Sequence, residues 1–214
     1  MTRRSYCKGI AGAPPRSLAL APRHSPDIIG KQMLLGPGFL LGFWRSGDEM
    51  RFRIVESALG WVGLVLSPSG LRAVTLPRGD REAALREVLA LGAREEAGDD
   101  ELGDLPDRLR RCARGEPVAF PDALDLSAAT PFQRAVWQAT REIPHGQTRS
   151  YGWLAAKVSR PQAARAVGQA MAANPWPLIV PCHRVVSSDG RLGGYGGGLD
   201  MKERLLILEG AIDG

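Results

Sequence analysis

Only three cysteines occur in the 214 residues: Cys7, Cys112 and Cys182. None stands in a CxxC or other short metal-ligand spacing, which argues against a zinc ribbon or finger. An odd, sparse set also argues against a disulfide scaffold, so a reducing, cytoplasmic setting is expected. Long hydrophobic runs are missing as well. No stretch approaches the ~18 uninterrupted apolar residues of a membrane span. The run Met33–Phe43 is short and broken by Gly36, Pro37, Gly38 and Gly42. No glycine-rich phosphate loop is present, which removes the usual signature of nucleotide-dependent chemistry.

What is there is a chain with 44% hydrophobic residues, enough for an ordinary core, and a net charge of +5. The charge is unevenly spread. Residues 51–126 hold 11 basic and 14 acidic side chains, a net of −3; residues 127–214 hold 10 and 6, a net of +4. A polyanionic partner such as nucleic acid is therefore expected at the C-terminal part. Residues 1–50 are rich in Pro, Gly, Arg and Ser without periodicity and read as a disordered extension, with Met50 a sensible alternative start. From Arg51 the texture changes. Arg51–Ser57, Gly60–Ser67 and Gly70–Leu76 are short apolar runs separated by turn residues, a β-meander. Arg81–Leu91 and Asp104–Ala113 have helical spacing, with a charged linker, Gly92–Gly103, between them. Residues 51–125 thus read as a small α+β domain.

A second domain, 126–214, opens with Thr130-Pro131 at a helix start, proline being favoured in the first turn. Phe132, Val136 and Trp137 give that helix an apolar face, and Pro144-His145-Gly146 ends it. Ser150–Val158, capped by Ser150, and Gln162–Ala172 follow as two short helices joined by about three residues, a helix-turn-helix candidate. The second helix is built from slim residues, among which Arg165 stands out. It is either a tightly packed internal helix or one slim enough to lie deep against a DNA groove.

The chemistry concentrates at Asn174-Pro-Trp-Pro-Leu-Ile-Val-Pro-Cys-His-Arg-Val185. A proline-bracketed apolar run gives Cys182 a rigid mount, as a nucleophile needs. A thiol of pKa about 8.5 requires a neighbouring base or positive charge. His183 is the local base candidate, and Glu209 is a carboxylate able to orient it. Gly193-Gly-Tyr-Gly-Gly-Gly198 forms a loop in which Tyr195 can wall a flat ligand.

These residues resemble one family. Pro181-Cys182-His183-Arg184-Val185 matches the active-site motif of the O6-alkylguanine-DNA alkyltransferases, and the likeness extends in order from Thr130-Pro131-Phe132-Gln133 through Val136-Trp137, Ile143–Gly146, Ser150-Tyr151, Ala163–Gly168 and Asn174-Pro175 to Gly197–Leu199, Lys202-Glu203, Leu205-Leu206 and Glu209-Gly210. The resemblance implies an α+β protein: a small ribonuclease H-like N-terminal sheet domain and a mostly helical, winged helix-turn-helix-like C-terminal domain. It implies single-turnover repair of double-stranded DNA by a monomer without cofactor or metal. The alkyl group of O6-alkylguanine, and of O4-alkylthymine, moves irreversibly onto Cys182. His183 takes the thiol proton through a water, Glu209 orients His183, and Asn174 ties the helix-turn-helix to the active segment. Arg165 enters the duplex from the minor groove in place of the flipped base, with Ala164 and Gly168 close to the DNA. Tyr151 rotates the nucleotide and donates a proton to the leaving guanine. Tyr195, Gly196, Val185, Pro177 and Met171 belong to the pocket. Two positions depart from the pattern: Gly196 stands where relatives often carry serine or a larger residue, and Trp176 is bulky, expected to narrow or stack on the pocket. Alternatives are a non-repairing lesion-binding protein of the same fold, a cysteine hydrolase, and a zinc site from Cys7, His24 and Cys112.

Overall fold

The computed structural model describes residues 50–214. The expectations for residues 1–49, including Cys7 and His24, fall outside them. Strands β1 (Arg51–Ser57), β2 (Gly60–Ser67) and β3 (Gly70–Val74) form the antiparallel meander expected from their short apolar runs and intervening turn residues. Helix α1 (Arg81–Ala90) is capped by Asp80, whose carboxylate accepts the Ala83 amide. It lies so close on β2 that a Cβ at Gly63 would meet Val88 Cγ1 at 2.3 Å. Only glycine allows that approach.

The charged stretch after α1 is not a bare linker. It contains β4 (Glu95–Glu96), parallel to β1, and a single-turn helix α2 (Asp99–Leu102). The sheet order is β3-β2-β1-β4. Helix α3 (Leu105–Cys112) follows. The sheet is covered on both faces. Met50, Phe52, Ile54, Val65 and Ala73 pack with Ala84 and Val88 of α1. Val55, Val62, Leu64, Leu71 and Val74 join Leu105 and Leu109 of α3 in a second cluster, which continues into the C-terminal half.

Helix α4 (Pro131–Arg141) starts at a reciprocal capping box between Thr130 and Gln133. A two-residue strand β5 (Arg149–Ser150) leads directly into α5 (Tyr151–Lys157), where Ser150 Oγ accepts the Trp153 amide. Helix α6 (Ala164–Ala172) begins two residues later than its composition suggested, because Arg160–Ala163 closes a turn before it. After a 3₁₀ turn at Cys182–Arg184, strand β6 (Val185–Val186) pairs in parallel with β5. Helix α7 (Leu199–Leu208) ends the fold, with Glu209 at its C-cap. The result is a mixed α+β protein with a small sheet and several helices. Among the described residues no helix is long and apolar enough to cross a membrane.

Candidate active site

Cys182 is delivered by a segment with little freedom. Trp176 O accepts the Val180 amide at 2.8 Å, Val180 O accepts the Cys182 amide at 2.7 Å, and Leu178 takes a left-handed φ of 74°. Cys182 is 8% exposed. Asn174 Nδ2 donates to Cys182 Sγ at 3.2 Å and to Val180 O at 2.9 Å. Burial pushes the thiol up from its ordinary range, while the Asn174 hydrogen bond and the Lys202 charge pull it down.

His183 is wholly buried, and its Nε2 lies 2.9 Å from Glu209 Oε1. Arg184 donates to both Glu209 oxygens, at 2.8 and 2.9 Å, and to Ile143 O at 2.7 Å. Burial works to raise the Glu209 carboxyl, but the bonds from His183 and Arg184 outweigh it and hold the group at about 2. Burial lowers His183 despite Glu209, so the ring is neutral at physiological pH. An ionised Glu209 only accepts, which places the ring proton on Nε2 and leaves a lone pair on Nδ1. Among the described residues Nδ1 has no hydrogen-bond partner. A neutral histidine with an oriented, unengaged lone pair can accept a proton.

The β5–β6 pairing brings Tyr151 beside the same segment. Its ring lies between Gly168 of α6 and the loop after β6: a Cβ at Gly193, where φ is 69°, would meet its hydroxyl at 3.0 Å. Burial, then the neighbouring Cys182, raise the Tyr151 pKa. Tyr195 is half-buried and its hydroxyl has no partner among the described residues; burial holds its pKa far above normal. Gly196 is exposed, and a Cβ there would touch Leu76 Cδ1 at 3.6 Å. Val185, Pro177 and Met171 are buried around the Cys182 segment, Met171 accepting from Thr140 at 3.7 Å. Arg165 is exposed on the first turn of α6, without a hydrogen bond or ion pair among the described residues, flanked by half-buried Ala164 and, a turn later, Gly168.

One expectation needs correction. Trp176 is 1% exposed and does not wall a pocket. Its indole N–H donates to Leu71 O of β3 at 2.8 Å, and its ring meets Trp137 edge-on at 5.3 Å. Two participants lay outside the expected set, Arg184 and Lys202. Lys202 is fully buried; its ammonium donates to Val185 O at 2.5 Å, to Leu192 O and to Gly194 O, and burial lowers its pKa to about 8. With Leu205, Leu206 and Glu209 it forms one stripe of α7 at helical spacing. That spacing was the available signal. Among the described residues no group of three or more His, Cys, Asp or Glu side chains could hold a metal. Cys112 is half-buried, and burial lifts its thiol to about 11.

The 6-O-methylguanine DNA methyltransferase DNA-binding domain model matches residues 131–211. A methylated-DNA–protein-cysteine methyltransferase of Methanosarcina acetivorans is 37% identical over 162 residues, 76% of this chain and 99% of the relative. The chain belongs to the methylated-DNA–protein-cysteine methyltransferase family. Its relative of that name in Salmonella typhimurium is 50% identical over 108 residues, 50% of this chain and 63% of the relative. The solved structure of Mycobacterium tuberculosis OGT in complex with DNA superposes with a TM-score of 0.62 at 37% identity, covering 75% of this chain and 93% of that one. The methyltransferase-domain match contains Cys182, His183, Glu209, Asn174, Arg165 and both tyrosines.

Proposed function

We propose that this protein repairs DNA by direct, irreversible transfer of an alkyl group from O6-alkylguanine, and from O4-alkylthymine, to Cys182. The observation that carries the reading is a buried thiol beside a neutral His183 whose tautomer is fixed by Glu209. The His183 Nδ1 lone pair takes the thiol proton through a water. The thiolate attacks the alkyl carbon, the carbon–O6 bond breaks, and its electron pair leaves with guanine, which Tyr151 protonates. The thioether is a very poor leaving group, so each molecule acts once.

A base within a duplex cannot be reached for in-line attack and must be flipped out. Arg165, exposed and unpaired among the described residues, enters from the minor groove and fills the vacated stack. Ala164 and Gly168 allow α6 close approach to DNA. Tyr195 packs on the flipped base, backbone groups near Val185 and Gly196 read its edge, and Pro177 and Met171 line the pocket. Helices α5 and α6 act as a winged helix-turn-helix within a 126–214 domain, and 51–125 forms a ribonuclease H-like domain. The protein works as a monomer without a cofactor.

The test is intact mass after incubation with a duplex containing O6-methylguanine. A gain of one methylene located on the Cys182 peptide is expected, and Cys182→Ser abolishes it while duplex binding persists. Unchanged mass with retained binding would favour a lesion-binding protein, and repeated turnover on esters a cysteine hydrolase.

A further inference from the structure

Trp176 ties the active segment to strand β3. Its backbone N–H donates to Asn174 Oδ1 at 3.0 Å and its carbonyl accepts the Val180 amide at 2.8 Å. Its indole N–H reaches Leu71 O across 105 residues of sequence, and its ring rests edge-on against Trp137 at an interplanar angle of 87°. The preceding residue adds a second tie to the same strand, Val74 N–H donating to Pro175 O at 2.8 Å.

The Asn174 amide has one workable orientation in this setting. Turned over, its NH₂ would face the Trp176 N–H, donor against donor, and its oxygen would face Val180 O, acceptor against acceptor. Held as it is, the amide must present an N–H to Cys182 Sγ at 3.2 Å. Such a bond strengthens when sulfur carries charge, so it favours the thiolate.

We propose that Trp176 is a positioning residue for Cys182: anchored on β3 through its indole N–H, it fixes the Asn174 amide with its donor aimed at the sulfur. The path runs from Leu71 O to Trp176, from Trp176 N–H to Asn174 Oδ1, and from Asn174 Nδ2 to the thiol. Strand β3 thereby takes part in readying the nucleophile. The proposal rests on Cys182 being the alkyl acceptor.

The experiment uses the full chain and Trp176→Phe, which keeps an aromatic ring and deletes the indole donor. Cys182 is titrated with iodoacetamide across pH and followed by the mass of its peptide. Its other charged and titratable neighbours are Lys202, Tyr151, Tyr195 and His183 with its partners Glu209 and Arg184, and the substitution leaves all of them in place. Loss of the Asn174 donor moves the thiol midpoint upward, slowing reaction near neutral pH by about three- to tenfold with the alkaline plateau retained. In an Asn174→Ala background the same substitution produces no further shift. A lowered thermal midpoint with an unmoved thiol curve would overturn the proposal, as would an equal shift in both backgrounds. A second measurement needs no variant: carboxamidomethylation of Cys182 should move the Trp176 indole N–H resonance, and an unmoved resonance counts against the coupling. Failure of wild type to accept methyl from DNA would sink the acceptor reading alone, since the thiol titration still decides the coupling.

Discussion

Glu209 takes a hydrogen bond from His183 and two from Arg184, so one carboxylate holds the imidazole and neutralises a nearby half-buried cation. Glu209→Gln keeps the shape and removes the charge. The imidazole then faces a neutral amide in place of a carboxylate, and single-turnover transfer from an O6-methylguanine duplex should slow by about 10²–10³. Arg184 is left uncompensated, which should cost about 3 kcal/mol in urea unfolding. A variant that loses stability yet transfers at the wild-type rate would show that Glu209 does not orient His183. Cys182, His183 and Glu209 were legible in the sequence because the first two are adjacent and the third ends a clear helix. Lys202 was not read as a site residue, because a charge within a buried stripe looks like a break in the stripe. Trp176 was misread because a local motif does not disclose which distant carbonyl an indole will meet.

At the scale of elements, the short β5–β6 ladder and the Ser150 cap place Tyr151 beside the nucleophile. Ser150→Ala should cost about 1 kcal/mol and slow transfer beyond what that loss explains, because α5 starts at Tyr151. Lys202 clasps the carbonyls of Val185, Leu192 and Gly194, on either side of a turn. Lys202→Met orphans them at about 1–3 kcal/mol for each that stays buried. The expected signature is faster limited proteolysis within residues 187–198, with slower alkyl transfer; cleavage unchanged there would refute the clasp. The meander and most of the helices followed from short apolar runs, turn residues, helical spacing and caps, all local properties. The β4 strand did not: two glutamates with no apolar pattern become a strand only because β1 offers its edge. The late start of α6 reflects backbone bonds in the preceding turn, which composition does not encode.

Across the whole molecule the acid response has one sign. Glu209, Asp122 and Asp125 are all lowered; for each, burial works to raise the carboxyl and is outweighed by hydrogen bonds and positive charge. Their stabilisation is present above the unfolded carboxylate range of about 4 and is lost as pH falls from there through their lower folded-state values, about 2 for Glu209. His183, lowered chiefly by burial, adds to the loss below about 6.5, where only the unfolded chain takes up its proton. Urea midpoints should therefore drop steadily from pH 7 to pH 3, and a flat profile would contradict these assignments. The core has its own consequence. One apolar cluster holds Val55, Leu64 and Leu71 together with Trp137, Trp176 and Val180, and the loop at Gly196 and Gly197 leans on Leu76. Anyone shortening this chain to its chemically active portion would strip two tryptophans of their cover and leave a sticky fragment. Residues 51–125 supply one wall of that shared core.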